Sequence, residues 1–575
     1  MSWFSPYESK RRIGTVASCG PTDFVVNLFR AAEGVTRSYF GRYLSSGLVG
    51  DLVFVELGEV ALLCRISKVW MEGSDRHSVE PGGPPRGAAH PFGAAIPLAT
   101  VRVEDGDVTR GVARFPELGS NVYSAHPDLV VHLYGNKNEL ASGMVSLDIA
   151  TLPQDREVDV ILSPESLFAR HCCVLGATGG GKSYTVARMI EQIQANGGKA
   201  LLIDATGEYE QLGLYTGAFD KSSGERRELM AFPHTDLMDS DLRALLRPSP
   251  QSQAPKLDAA IRSLKMVFHA NSRGSGAGLP IDGEGNLLKS GQKKEPQLSY
   301  YAEFADDIER SPWLFSALSK QIVHECVYPD GSFGKDLSVW GSRVENDLGN
   351  CLNLISRIEQ LAKSVHHRWL IDVDASIKTI SGTLESFAKF SHGIFRLDLS
   401  SIPFEGSSRE VLVNALGRKL LALARAGHVK KSNPMIVVLD EAHQFLSKSL
   451  SFDAGQIVLD AFGSIAKEGR KYGLTVVIST QRSRDIPDDV FSQIGSFVIH
   501  RLSNSYDREA MEKALGDADS RITAMVPTLA TGEALLGGVG FKFPMIVKIK
   551  APKARLATDG SDYSGAWRAA TDPST

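Results

Sequence analysis

Cysteine is scarce in this chain. The six residues Cys19, Cys64, Cys172, Cys173, Cys326 and Cys351 are scattered through 575 positions with no CxxC pair. That argues against a zinc knuckle and fits buried thiols in a reducing compartment. Long apolar runs are missing too, since no stretch reaches the ~20 residues needed to cross a bilayer. The opening MSWFSPYESKRR lacks the apolar centre of a secretory signal. The expectation is a cytoplasmic protein without a membrane segment. Positive charge is not in surplus either: 63 Lys and Arg stand against 67 Asp and Glu, a formal net charge of -4. Proteins that coat nucleic acid with their whole surface are basic, so any such contact here has to come from local cations, as in a lined pore.

What is present is ordinary in bulk. Hydrophobic residues make up 43% and charged residues 23%, the balance of a soluble globular protein. The length exceeds what one core can hold, so two to four domains are expected. Residues 1–150 read as β. Short apolar runs at 13–17, 24–29, 52–57, 60–69, 96–103 and 129–133 alternate with Gly, Pro, Asp and Ser clusters, which predicts a small barrel. Residues 82–95 (GGPPRGAAHPFGAA) have no periodicity and are predicted to be a loop.

From 151 to 234 the pattern turns α/β. An apolar strand at 171–175 meets a glycine-rich turn, then a helix with Val186, Ile190 and Ile193 on one face, then a second strand at 200–204. Such alternation implies a parallel sheet with crossover helices. Residues 235–390 interrupt it with helical segments near 258–271, 299–308, 312–327, 345–363 and 376–390. Inside them, 271–297 is rich in Gly, Ser and Lys and reads as a flexible, solvated excursion. The α/β pattern resumes over 391–552, with a strand at 393–399, a helix at 407–425, and strands at 435–439, 474–479, 496–501, 533–536 and 543–549. A polar tail, 553–575, follows. The predicted fold class is an α/β RecA-like P-loop core with an N-terminal small β-barrel and an inserted helical domain.

The strongest motif is GxxxxGK[ST] at 176–183: Gly176, Ala177, Thr178, Gly179, Gly180, Gly181, Lys182 and Ser183, with Tyr184 directly after. It sits between a predicted strand and a predicted helix, the context this motif requires. Its glycines let backbone N–H groups wrap phosphates, and the helix N-terminus adds partial positive charge. Lys182 supplies a full charge to the β- and γ-phosphates of ATP, and Ser183 is placed to ligate Mg²⁺. The second motif, MIVVLDEAH at 435–443, is an apolar strand ending in twin acids. Asp440 would hold the Mg²⁺ shell and Glu441 would polarise the attacking water. His443 reads as a hydrogen-bonded neighbour of these acids. The letters DEAH are no guide to a two-lobed helicase, because the residues after Asp440 are too few for a second lobe and carry no HRxGRxGR-like run.

A third region runs from GRKYG at 469–473 through a strand to Thr480, Gln481 and Arg482. Gln481, at a strand tip beside the twin acids, is placed to sense the γ-phosphate. A single-lobe ATPase takes its neutralising arginine from elsewhere, often a neighbouring subunit. Arg470 is the candidate, with a helix-terminal cation as its bland alternative; a helix is expected from about residue 452 up to it. Arg170, just before the first strand, is a further candidate for nucleotide contact or a plain surface arginine. Asp204 and Glu208 end the second strand, where they either face the phosphates or cap a turn. Lys448, Arg482 and Arg484 lie on loops that could line a pore, and single cations become a stripe only when several copies converge.

Taken together, these motifs resemble the HerA branch of the HerA/FtsK ATPases. The resemblance runs from about residue 11 to 552 and rests on ARH at 169–171 leading into GATGGGKS, on IDATGEY, on VVLDEAHQFL, and on KEGRKYGLTVVISTQR with IPDDVFSQIGSFVIHRLSN after it. It implies a homo-hexameric ring that moves along double-stranded DNA using ATP, with roles for Lys182, Ser183, Asp440, Glu441 and Gln481 as above. It also implies that Arg170 and Arg470 contact nucleotide, the second across a subunit interface. Family members work with a partner nuclease or a sirtuin-like NADase, in DNA end processing or anti-phage defence, with the barrel as the docking face. The alternative is an ATP-binding ring that scaffolds and regulates such an effector, translocation being incidental.

Overall fold

The computed structural model describes residues 5–30, 37–39, 41–44, 47–71, 91–135, 145–220, 226–274, 278–331, 336–390, 392–403, 405–446, 448–452, 455–515, 522–554, 556 and 567. It divides into two compact units. The first comprises 1–200, 436–443 and 475–575, and the second 201–435 and 444–474.

The first unit opens with a closed six-stranded antiparallel barrel. Its strands follow the order Phe24–Asn27, Arg12–Cys19, Asn121–Ser124, Leu52–Leu57, Val60–Trp70 and Phe92–Arg102, and the last pairs back to the first. Alternate residues point inward and build the core, among them Val16, Phe24, Val26, Val53, Val55, Leu62 and Val122. Gly14 allows the closest strand approach, because a Cβ there would lie 2.4 Å from the Asn27 carbonyl oxygen. Closure removes the free edges that would otherwise template aggregation. Two expectations are corrected. Residues 92–95 belong to a strand rather than a loop (82–90 lie outside the described residues). The run at 129–133 is helical, within Pro127–Tyr134, because His126 caps the helix by accepting from the Asp128 N–H and Pro127 fills its first turn. These start signals override the β-branched valines.

The rest of the first unit is a sheet in the order Asp159–Leu162, Leu147–Thr151, Met545–Ile549, Glu533–Gly537, Ile494–Ile499, His171–Leu175, Leu474–Thr480, Met435–Leu439. We label five of these in chain order: β1 (His171–Leu175), β2 (Met435–Leu439), β3 (Leu474–Thr480), β4 (Ile494–Ile499) and β5 (Glu533–Gly537). β1 runs parallel to both neighbours, Leu175 lying opposite Thr480 on β3 and Ile499 on β4. Every residue of β1 and β4 is buried, as strands covered on both faces require. β5 is antiparallel to β4. Helix α1 (Lys182–Ala195) follows β1 and buries Val186, Ile190 and Ile193 on one stripe.

The second unit holds a strand set ordered Lys199–Asp204, Gly393–Asp398, Tyr215–Ala218, Arg227–Ala231, Lys378–Thr379, with parallel pairing from Gly393–Asp398 outward. Its helices include Gln253–Ser272, Glu295–Arg310, Leu318–Glu325, Glu345–Lys363 and Ser408–Arg425. The described part of 271–297 is no loose excursion. Leu279 and Leu287 pack with Met266, Val267 and Tyr300 in a small core, and Asp282 accepts from the Glu284 and Asn286 N–H groups to fix a turn. Residues 448–459 also differ from expectation. Lys448–Phe452 and Gly455–Leu459 form an antiparallel hairpin, and the helix begins only at Ala461.

Candidate nucleotide site

Glycines shape the turn after β1. Gly179 and Gly181 hold φ values of 74° and 114°, in the left-handed region that suits glycine. A Cβ on Gly176 would sit 2.9 Å from the His500 Cβ, and one on Gly181 would sit 3.1 Å from the Gly532 Cα. The turn is pinned from outside by main-chain bonds from the Ala177 N–H to the Arg501 oxygen (3.1 Å) and from the Gly532 N–H to the Gly180 oxygen (3.1 Å). His500 completes the brace: its Nδ1 lies 2.8 Å from the Glu533 oxygen and its Nε2 lies 2.7 Å from the Thr185 hydroxyl on α1. Burial lowers its pKa to about 4, so the ring is neutral.

Lys182 caps this arrangement. Its Nζ donates to Glu441 Oε1 (2.7 Å), Asp440 Oδ1 (3.2 Å) and Ser479 Oγ (3.3 Å). Burial pushes the ammonium toward losing its proton, but the two carboxylates outweigh this and hold its pKa above the ordinary lysine value. Ser479 Oγ in turn donates to Asp440 Oδ1 (2.8 Å). Gln481 Nε2 donates to Glu441 Oε1 (2.9 Å), and Thr178 of the loop donates to Gln481 Oε1 (2.7 Å). His443 Nδ1 stands 3.2 Å from both Glu441 Oε2 and the Thr480 hydroxyl. Glu441 reaches this position from a left-handed backbone, φ 45°, a conformation costing about 1–3 kcal/mol for a residue with a side chain. Strain of this kind persists where surrounding structure enforces it.

The oxygen donors fit Mg²⁺. Asp440 is wholly buried, yet its Oδ2 has no hydrogen-bond partner among the described residues. A carboxylate oxygen left bare in the interior calls for a cation or a donor. Ser183 sits on the first turn of α1, next in sequence to Lys182. A hard cation that keeps several non-protein oxygens needs only one or two protein ligands.

The remaining candidates are placed differently. Arg170 is exposed at the start of β1, the end of the strand opposite the loop. Gly495 makes room for it, since a Cβ there would come within 2.4 Å of the arginine side chain. Within one chain Arg170 therefore stands at the end of β1 away from the loop. Asp204, in the second unit, is consumed structurally. It accepts from the N–H groups of Gly207 (2.8 Å) and Tyr209 (3.2 Å) and pairs with buried Arg396 (2.8 Å). Arg470, also in the second unit, is exposed on a 3-10 turn, Gly469–Tyr472, with no side-chain hydrogen bond among the described residues. Arg482 and Arg484 are exposed and each lies 3.7 Å from Asp485. Lys448 opens the hairpin, and its side chain is outside the described residues. Tyr184 is half-buried on α1. Sequence reasoning passed over Ser479, Thr185 and His500, which are ordinary polar letters in apolar strands and a helix until the sheet brings them together.

A glycine-rich strand-to-helix turn, an inward lysine and an acid pair at the tip of another strand of the same sheet define the core of a P-loop ATPase. Two family models match the chain: helicase HerA, central domain, over residues 147–297, and helicase HerA-like C-terminal over 413–572. They cover more than half of it between them, and the chain belongs to the HerA family. It is similar to the DNA double-strand break repair helicase HerA of Pyrococcus furiosus, 25% identical over 437 residues, spanning 75% of this chain and 73% of that protein. The HerA of Saccharolobus solfataricus is 22% identical over 420 residues, spanning 72% and 70%. Among solved structures, VirB4 of Thermoanaerobacter pseudethanolicus shows 14% identity and a TM-score of 0.43, covering 71% of this chain and 97% of that one, too distant a likeness to bear on function. No described helix is long and apolar enough to cross a membrane.

Proposed function

We propose that this chain hydrolyses ATP at the 176–183 loop and, as a homo-hexamer in the cytoplasm, uses the energy to move along double-stranded DNA. The observation that carries the reading is the bond set of Lys182 to Asp440 and Glu441, which puts the phosphate-binding loop and the twin acids in one buried pocket. A triphosphate on the loop competes for the Lys182 ammonium and draws it from the acids. Glu441, released from that pair, keeps Gln481 on one oxygen and His443 beside the other. It is then oriented to accept a proton from the attacking water. Gln481 also holds Thr178, so a change at the phosphate end is felt at the strand tip that leads to Arg482. Mg²⁺, when bound, neutralises charge on the phosphate oxygens; Ser183 and Asp440 Oδ2 would hold it.

The family supports the ring and the DNA substrate. Arg470, exposed and with no side-chain hydrogen bond among the described residues, is available to a neighbouring protomer's nucleotide, and Arg170, at the end of β1 away from its own loop, is proposed to serve in the same way. Lys448, Arg482 and Arg484 are the proposed pore contacts. A partner nuclease or NADase effector, in DNA end processing or anti-phage defence, is proposed to dock on the barrel. Turnover assays test the core of the reading. Glu441→Gln should bind ATP normally and lose about 10²–10³-fold in kcat, and Lys182→Ala should lose nucleotide binding itself. Parent-like turnover in either variant would remove the assignment. Displacement of a triplex-forming strand from duplex DNA, lost in Glu441→Gln, tests translocation against a purely scaffolding ring.

A further inference from the structure

β3 (Leu474–Thr480) is buried along its whole length and lies between β1 and β2. A serine in such a strand has to spend its hydroxyl inside the sheet. Ser479, fully buried, spends it on Asp440 and Lys182 together. Its Oγ donates to Asp440 Oδ1 (2.8 Å) and accepts from the Lys182 ammonium (3.3 Å), two roles that a hydroxyl fills at one atom. Gln481, two positions on, donates to Glu441 Oε1 (2.9 Å). Each acid of the pair thus has its own donor from β3 or its tip.

The bonds on Asp440 are unevenly shared. Lys182 and Ser479 both sit on Oδ1, while the buried Oδ2 has no partner among the described residues. The two oxygens of a carboxylate are chemically alike, so these donors impose the difference. A triphosphate on the loop draws Lys182 from the acids, and Ser479 is then the recorded bond that stays on Oδ1. Without it the carboxylate is loosely held about its Cβ–Cγ bond, a torsion with broad wells.

We infer that Ser479 is a positioning residue for Mg²⁺. Acting through Asp440, it occupies Oδ1 and so reserves Oδ2 for the cation once nucleotide is bound. The inference rests on the ATP site proposed above. Groups that orient a metal ligand in this way are worth about 10–100-fold in metal affinity.

The test reads nucleotide binding rather than turnover. A fluorescent, non-hydrolysable ATP analogue is titrated into the full chain with Mg²⁺ and again with EDTA, and the ratio of the two affinities is the gain from the metal. In Ser479→Ala the affinity in EDTA should match the parent, and the gain should fall about tenfold or more. Asp440→Asn should also lose the gain. Adding Ser479→Ala to it should cost nothing further, because a residue that acts through another has no effect once that one is gone. A parent-like gain in Ser479→Ala overturns the inference, and so do losses that add in the double variant. Equal weakening in Mg²⁺ and in EDTA overturns it too, since Ser479 would then be supporting Lys182 or the fold. A parent that binds the analogue without any gain from Mg²⁺ removes this inference and leaves the nucleotide site standing. A parent that does not bind the analogue at all removes the ATP reading as well.

Discussion

His500 braces the phosphate loop against its surroundings: its Cβ lies under Gly176, its Nε2 meets Thr185 on α1, and its Nδ1 is bonded to the Glu533 carbonyl oxygen on β5. Its pKa of about 4 lies below the unfolded value of about 6.5. Between those values the unfolded chain binds a proton that the folded chain refuses, so stability falls as pH drops from 6.5 toward 4 and is fully present above 6.5. The effect amounts to about 3 kcal/mol at most. We expect the melting temperature of the parent to fall more than that of His500→Gln between about pH 7.5 and pH 5. Identical losses would show that the ring is not the titrating brace. Such a residue was illegible in the sequence, since the phosphate loop and its histidine are more than 300 positions apart. Lys182, Asp440, Glu441 and Gln481 were legible because each belongs to a short local pattern whose chemistry fixes where on a strand or helix it must stand.

Elements were legible where one period dominated. Glu345–Lys363 and Met435–Leu439 match the expected spans because their apolar residues repeat without interruption. Elements set by partners elsewhere were not. The lysines at 289 and 294 read as solvated charges in a glycine-rich stretch. Instead Lys289 pairs with Glu325 and Lys294 with Asp330, and both ammonium groups lie near the Trp340 ring. Glu325 is 5% exposed and also receives Ser263 and Gln321. Removing the lysine leaves a buried carboxylate short of its counter-charge, at a cost of about 3 kcal/mol. Lys289→Ala should therefore lower the melting temperature by several degrees and leave the salt dependence of DNA binding unchanged. A variant with parent stability and a shallower salt slope would instead make this lysine a DNA contact.

At the scale of the whole molecule, the proposed ring needs a neutralising charge for each nucleotide it holds. Arg470 is exposed, lacks a side-chain bond among the described residues, and belongs to a unit other than the one holding the loop and the acid pair. If it serves a neighbour, two kinds of damaged protomer should repair one another. Lys182→Ala destroys its own loop but still offers Arg470; Arg470→Ala keeps its loop but offers nothing to the next site. Each variant alone should be inactive, with Arg470→Ala still binding nucleotide, since an arginine supplied in trans is worth about 10³–10⁵ in turnover. In mixed rings, wherever an Arg470→Ala loop meets a Lys182→Ala neighbour, both parts are intact, and turnover should reappear in proportion to such junctions. An arginine acting within its own chain allows no such recovery, because every protomer in the mixture lacks one of the two parts. Mixed rings, verified by tagging both variants, that stay as inactive as the separate pools would place Arg470 in its own site and end the proposal of a shared one.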